Sequence, residues 1–208
     1  MGILAEPLQF IRDLKLEPGF TVCELGDQWI TDSTPHRLAK EFYKEIGCSH
    51  YESIDGNGRG TRTWDLNGPL PRLGQFDLVT DFGTGEHIFN QYQVWRSIHY
   101  LTKRFGYLVW DRPSQGYKGH CFYLADECVY RDSAAANEWD IVTLEHKETT
   151  RGELIRGVMQ RTGKQKFKMP QQGRYRKLLR PITGELPPLK WRKQTDDAET
   201  GAEAVDGD

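Results

Sequence analysis

The 208-residue sequence contains no run of 18 apolar residues, so no segment reads as a membrane-spanning helix. Its start lacks a basic stretch leading into an apolar one, which predicts a soluble, cytoplasmic protein rather than a secreted one. Cysteine is scarce: Cys23, Cys48, Cys121 and Cys128 form no Cys-x-x-Cys pair and no regular zinc spacing. A disulfide framework is thereby disfavoured, reduced structural thiols are expected, and no metal is expected. The glycine-rich run Gly56 to Gly60 is followed by neither Lys-Ser nor Lys-Thr and opens no helix, which argues against a P-loop.

Charge is present but unevenly spread, and the whole-chain value of -2 conceals this. Residues 161 to 193 hold eleven lysines and arginines against one acid, Glu185, whereas residues 194 to 208 hold six acids and no base. A basic segment followed by an acidic tail fits self-screening, a solvated surface or an anionic partner. Prolines at 170, 181, 187 and 188 and the polar composition leave too little apolar surface for a second core. Three parts are therefore expected: a globular domain over 1–160, a basic extension over 161–193 packed partly on it, and a disordered acidic tail over 194–208. Phe167, Met169, Tyr175, Leu178, Leu179 and Trp191 are the side chains able to pin the extension to the core.

Within residues 1–160, strand-like and helix-like patterns alternate. Leu8, Ile11, Leu14 and Leu16 share a helical face that Pro18-Gly19 ends; Thr34 can cap a second helix with Pro35 at its first position and Leu38, Phe42 and Ile46 on one face. Helices are also predicted over 90–101 and 126–136, and strands over 20–26, 50–56, 76–81, 107–110, 140–144 and 154–160, with 57–73 mostly loop. Strand, helix, strand in this order implies right-handed parallel crossovers.

Three of those strands end in an acid beside a glycine: FTVCELG (20–26), HYESIDG (50–56) and FDLVTDFG (76–83). Parallel strands direct their carboxyl ends to a shared crevice, so these acids and glycines can meet one ligand from several sides. Gly26 would admit close backbone approach. Asp55, about 30 residues after the first turn, stands where an acid accepts from ribose hydroxyls in nucleotide-binding α/β folds. Asp65 and Leu66 lie in a loop where a carboxylate can accept from an exocyclic amine and a leucine can pack on a purine. Each of these also has an ordinary reading as turn chemistry. The pattern points to a nucleoside-containing cofactor.

These residues resemble the class I S-adenosylmethionine-dependent methyltransferases over roughly residues 15 to 145. The resemblance rests on VCELGDQ, ESIDGNG, WDL, FDLVTDFGTGEHI and LTKRFGYLVW, of which FDLVTDFGTGEHI is the most specific. It implies an α/β, Rossmann-like seven-stranded sheet with helices on both faces, and S-adenosylmethionine as cofactor. It also implies roles: Glu24 and Gly26 at the methionine part, Asp55 at the ribose, Asp65 and Leu66 at the adenine, and Asp81 and Phe82 beside the reacting methyl. The first motif departs from the family's run of three glycines, with Asp27, Gln28 and Trp29 after a single Gly26. Since S-adenosylmethionine has no pyrophosphate, this departure argues more against a dinucleotide than against methyl transfer.

Methyl transfer needs positioning and, for a hydroxyl acceptor, a base. His120, in the segment after the fifth strand, and His87, at the crevice, are the candidates, each weighed against a purely structural role. Without an Asn/Asp-Pro-Pro-Tyr motif or a catalytic cysteine context, nucleic acid is not the default acceptor; a small-molecule or glycan acceptor is expected, with Trp110, Tyr117, Phe122 and Tyr123 available to line its pocket. Two other readings stand beside this one. The first is a catalytically degenerate binding or assembly protein, and the second an enzyme whose basic extension docks RNA or DNA.

Overall fold

A computed structural model describes residues 2–3, 5–31 and 37–171. Thr34, Pro35, Tyr175, Leu178, Leu179, Trp191 and the whole acidic tail lie outside the described residues. Seven strands form the main sheet: β1 (Thr21–Leu25), β2 (His50–Asp55), β3 (Arg62–Thr63), β4 (Phe76–Phe82), β5 (Thr102–Gly116), β6 (Trp139–Thr149) and β7 (Gly152–Arg161). Their order across the sheet is β3-β2-β1-β4-β5-β7-β6. The first five pair in parallel, and β7 runs antiparallel to both β5 and β6. A hairpin at residues 149–152 makes that reversal.

Among the described residues, four helices cover the sheet: α1 (Ala5–Asp13), α2 (Ala39–Glu45), α3 (Gln91–Leu101) and α4 (Glu127–Asn137). Side chains alternate across a strand, so one sheet feeds two cores. Val22, Leu78, Val109 and Val158 face α1 and α2, meeting Leu8, Ile11, Phe42 and Tyr43. Their neighbours Cys23, Val79, Leu108 and Met159 face α3 and α4, meeting Val94, Ile98, Tyr130 and Ala134. Burial on both faces explains why apolar residues stand next to one another in these strands, with polar residues such as Glu24, Thr80 and Asp81 buried among them. The expectation of a seven-stranded sheet with helices on both faces is met.

Several boundaries differ from the sequence reading. β5 extends over fifteen residues because a bulge keeps it paired: Phe76 faces Thr102 while Leu78 already faces Tyr107. Phe105 at φ 67 sits in that bulge, where sequence alone suggests a turn. A small second sheet made of Gly2–Ile3, Trp29–Ile30 and Arg37–Leu38 was not foreseen, since two-residue strands carry no periodicity. The segment after β7 is not free of the core. Arg161 donates from Nη1 to the carbonyls of His99 and Thr102, both at 2.7 Å, and Lys168 exchanges two hydrogen bonds with the Asn137 side chain. Phe167 packs edge-on against Tyr92 and tilted against His99, whereas Met169 stays exposed.

Candidate active site at the ends of the parallel strands

The carboxyl ends of β1, β2 and β4 open into one cleft of about 550 Å³. Asp27, Asp55, Trp64, Asp65, Leu66 and His87 are among its lining residues. Asp55, the last residue of β2, orients the two loops on either side of it. Its Oδ2 accepts the Asp27 backbone N–H and its Oδ1 the Asn57 backbone N–H, both at 2.9 Å. A carboxylate oxygen has capacity beyond one such bond, so Asp55 can still accept from a ligand hydroxyl. Asp27 stands close enough that its carboxyl is raised, by burial first and by the Asp55 charge second.

The Asp65 loop forms another wall. Asp65 Oδ1 accepts both the backbone and the side-chain N–H of Asn67 at 2.9 Å, an arrangement that holds its carboxyl below the usual range. Asn67 in turn is tied to Asn90, which caps α3 by accepting the Gln93 N–H. The loop is thus fixed to a helix terminus rather than left mobile by its prolines and glycines. Leu66, only 3 % exposed, gives this wall an apolar surface.

Gly26 follows β1 with φ +83, a conformation that favours glycine. A Cβ there would lie 2.3 Å from Thr84 Oγ1 and 2.7 Å from Gln28 Nε2. Those two side chains cover the glycine: Gln28 Nε2 donates to Thr84 Oγ1 at 3.0 Å, and Thr84 Oγ1 donates to the Leu25 carbonyl at 2.8 Å. Close backbone approach at Gly26 is therefore taken up by the protein's own side chains. Glu24, expected at the same part of the ligand, does not line the cleft. Strand alternation turns it toward α2, fully buried, where it accepts from Tyr51 Oη at 2.7 Å and from the Gln28 N–H at 3.2 Å. Burial pushes this carboxyl up to about 8 even though those hydrogen bonds and one from Tyr43 favour the charged form.

Asp81 and Phe82, expected beside the reacting methyl, are likewise not among the residues that line the cleft. Alternation sends Phe82 into the core beneath α1 and α2. Asp81 lies buried on the opposite face, where its Oδ1 accepts the Thr84 and Gly85 N–H groups at the entry to a single 3-10 turn, Gly85–His87. There it meets Arg112, whose Nη1 is 3.7 Å from Asp81 Oδ2 and whose Nε is 3.3 Å from Glu86 Oε2. Arg112 and Glu86 are both buried; burial, then the Asp81 charge, raises Glu86 to about 7 against the pull of Arg112.

His87 and His120 do come together. Their rings meet edge to face with centroids 5.0 Å apart, and burial followed by the neighbouring His120 lowers His87, keeping it neutral near pH 7. The backbone N–H groups of Phe122 and Tyr123 donate to the Glu86 carbonyl, hanging the 117–124 loop over the turn. Exposed Phe122 and Phe89 then stack edge to face beside it. Trp110, by contrast, is a core residue stacked on Tyr130. Sequence reasoning missed Trp29, Trp64, Gln28, Thr84, Glu86 and Arg112. Trp64, Gln28, Thr84 and Glu86 lie inside the quoted motifs without having been given a role, whereas Trp29 lies just beyond one and Arg112 is brought in by β5.

No protein-family model matches the chain, and no curated protein matches it. Solved structures do. N-methyltransferase NodS from Bradyrhizobium japonicum WM9, in complex with S-adenosyl-L-homocysteine, is similar at 13% identity and a TM-score of 0.57, over 76% of this chain and 86% of that one. The 1,6-didemethyltoxoflavin-N1-methyltransferase of Burkholderia thailandensis aligns at 14% identity and a TM-score of 0.57, over 76% and 77%. Magnesium protoporphyrin IX methyltransferase from Synechocystis PCC 6803 aligns at 15% identity and a TM-score of 0.52, over 76% and 80%. With the sheet order and its single antiparallel strand, these likenesses lead to one conclusion: the chain has the fold of the class I S-adenosylmethionine-dependent methyltransferases.

Proposed function

We propose that the cleft binds S-adenosylmethionine and that the chain transfers its methyl group to an oxygen or nitrogen of a small-molecule or glycan acceptor. The observation that carries this reading is the convergence of three parallel strand ends on one cleft, with Asp55 between two loops and the Asp65-Leu66 wall beside it. A nucleoside fits these groups. Asp55 would accept from the ribose hydroxyls, Asp65 from the adenine amine, and Leu66 would pack on the purine. The cofactor, when bound, supplies an electrophilic sulfonium methyl.

The residues of the chain then position the acceptor and take its proton. His87, neutral near pH 7, lines the cleft, and His120 touches its ring. Either imidazole can accept the proton released as the acceptor's oxygen or nitrogen bonds to the methyl carbon and the carbon–sulfur bond breaks. Phe89, Phe122 and Tyr123 form an aromatic rim suited to a ring-shaped or sugar acceptor. The 1,6-didemethyltoxoflavin-N1-methyltransferase, solved with bound 1,6-didemethyltoxoflavin, supports a small-molecule acceptor. Calorimetry tests the reading: S-adenosylhomocysteine should bind the wild type and bind Asp55→Ala at least tenfold more weakly. No heat at millimolar ligand would refute it.

A second reading, a catalytically degenerate binding protein, is favoured by the Gln28–Thr84 pair closed over Gly26. Labelled methyl transfer from S-adenosylmethionine into a small-molecule extract would exclude it. Docking of nucleic acid on the basic extension draws less support from the described part, because Arg161 is buried and spent on backbone carbonyls.

A further inference from the structure

We infer that Glu86, His87 and His120 form a binding site for a divalent transition-metal ion of the zinc or manganese type, with at least one open coordination position facing the cleft. The inference does not depend on methyl transfer; with an ion bound, His87 and His120 are its ligands, and the proton-accepting role proposed for them belongs to the metal-free protein.

Three observations carry it. One ligand atom from each residue can be chosen so that all lie within 4.8 Å of one another. Glu86 is fully buried; its Oε2 is ion-paired with Arg112, but neither its Oε1 nor the buried Nε2 of His87 has a hydrogen-bond partner. These orphaned atoms face each other, with His87 Nε2 4.0 Å from Glu86 Oε1. Unpartnered buried polar atoms are costly and uncommon, and two facing each other beside a second imidazole are what a cation would satisfy.

The chemistry suits a metal. Two neutral imidazoles and one carboxylate are the donor set of open catalytic zinc sites and of facial-triad iron sites, where three protein ligands leave room for water or substrate. Metal–ligand bonds of about 2.0–2.2 Å put neighbouring donors about 3.3 Å apart in a tetrahedral site. His87 and His120 are both partly exposed, so side-chain rotation can close the present spacing. Arg112 Nε, 3.3 Å from Oε2, holds the far oxygen of Glu86 and leaves Oε1 toward the histidines, as outer-shell partners orient ligating carboxylates. Once Glu86 gives up its proton to a metal, Asp81 and Glu86 together outweigh the Arg112 charge and leave a net negative site for a cation. The ion would lie at the cleft wall that His87 lines, where an oxygen or nitrogen of an acceptor could reach it.

The test uses the full chain without a histidine tag, stripped of metal and titrated calorimetrically with zinc chloride and with manganese chloride, with no cofactor added. One ion per chain is expected, bound at least tenfold more weakly by His120→Ala and by Glu86→Gln. His146→Ala, which removes the imidazole between Glu127 and Glu153, should bind as the wild type does. Cobalt substitution should give a d–d absorption without thiolate charge transfer, and that spectrum should vanish in His120→Ala. Absence of binding at millimolar metal would overturn the inference. So would equal binding by wild type and His120→Ala, or loss confined to His146→Ala. Because His120 lies in a loop outside the strands and helices, its truncation is expected to leave the fold intact, checked by circular dichroism. S-adenosylhomocysteine binding is measured separately, so either result leaves the methyltransferase reading to its own test.

Discussion

The Asp55 carboxylate accepts the backbone N–H of Asp27 at 2.9 Å, so the end of the second strand fixes the turn after the first. One side chain thereby couples two loops that the sequence separates by 28 residues. A ligand bound at Asp55 senses both.

Replacing Asp55 by Ala should therefore act twice. Loss of the acceptor for Asp27 and Asn57 is expected to destabilise the fold by about 1–3 kcal/mol. At a temperature where the variant stays folded, its affinity for S-adenosylhomocysteine should fall at least tenfold. Thermal melting with and without ligand separates the two effects.

Gly26→Ala should cost about 2–4 kcal/mol, combining the left-handed backbone with the contact at Thr84 Oγ1. In the Thr84→Ala background part of that cost should disappear, because the clashing atom is gone. A double-mutant cycle by urea unfolding measures the coupling; strict additivity would show that Thr84 does not press on this site.

The buried Glu24 predicts a pH dependence of definite sign. Its carboxyl is raised from 4.5 to about 8, so the folded state holds a proton that the unfolded state releases. The stabilisation is complete below about pH 4.5 and is lost as pH rises toward 8. Relative to Glu24→Gln, the wild type should lose up to about 1.4 kcal/mol per pH unit across that window. Glu86 and Asp111, raised to about 7 and about 6 by burial, contribute the same sign in both proteins and cancel in the comparison. Urea midpoints of the pair at pH 5, 6.5 and 8 give the difference.

His99 predicts the opposite sign. Its Nδ1 accepts the Trp139 indole N–H at 3.2 Å and its Nε2 reaches the Gln165 carbonyl at 2.9 Å, which fixes a neutral tautomer. Burial lowers it from 6.5 to about 4, so its contribution is complete above pH 6.5 and is lost as pH falls toward 4. Because Gln165 and Phe167 lie on the segment after β7, acid should loosen that segment. Phe167→Ala should mimic the effect at neutral pH, costing about 1–2 kcal/mol for a half-buried ring. Hydrogen exchange over residues 162–171 reports it.

Local pattern alone determined the order of the longer strands and helices, because apolar periodicity and the Pro-Gly break at 18–19 are written in neighbouring residues. It also marked the acid-ended strands, since a parallel sheet places such ends together whatever its details, and Asp55, Asp65 and Leu66 line the cleft there. The tertiary structure decided what each acid faces. Strand alternation and the packing of α2 turned Glu24 inward to Tyr43 and Tyr51, and the 3-10 turn enclosed Asp81 with Arg112, a residue 31 positions away. The cover of Gln28 and Thr84 over Gly26, and the orphaned Glu86 beside two imidazoles, arise only when β1, β4, β5 and the loop after β5 meet in space. Burial and unpaired polar atoms are properties of that meeting, and no spacing along the chain encodes them.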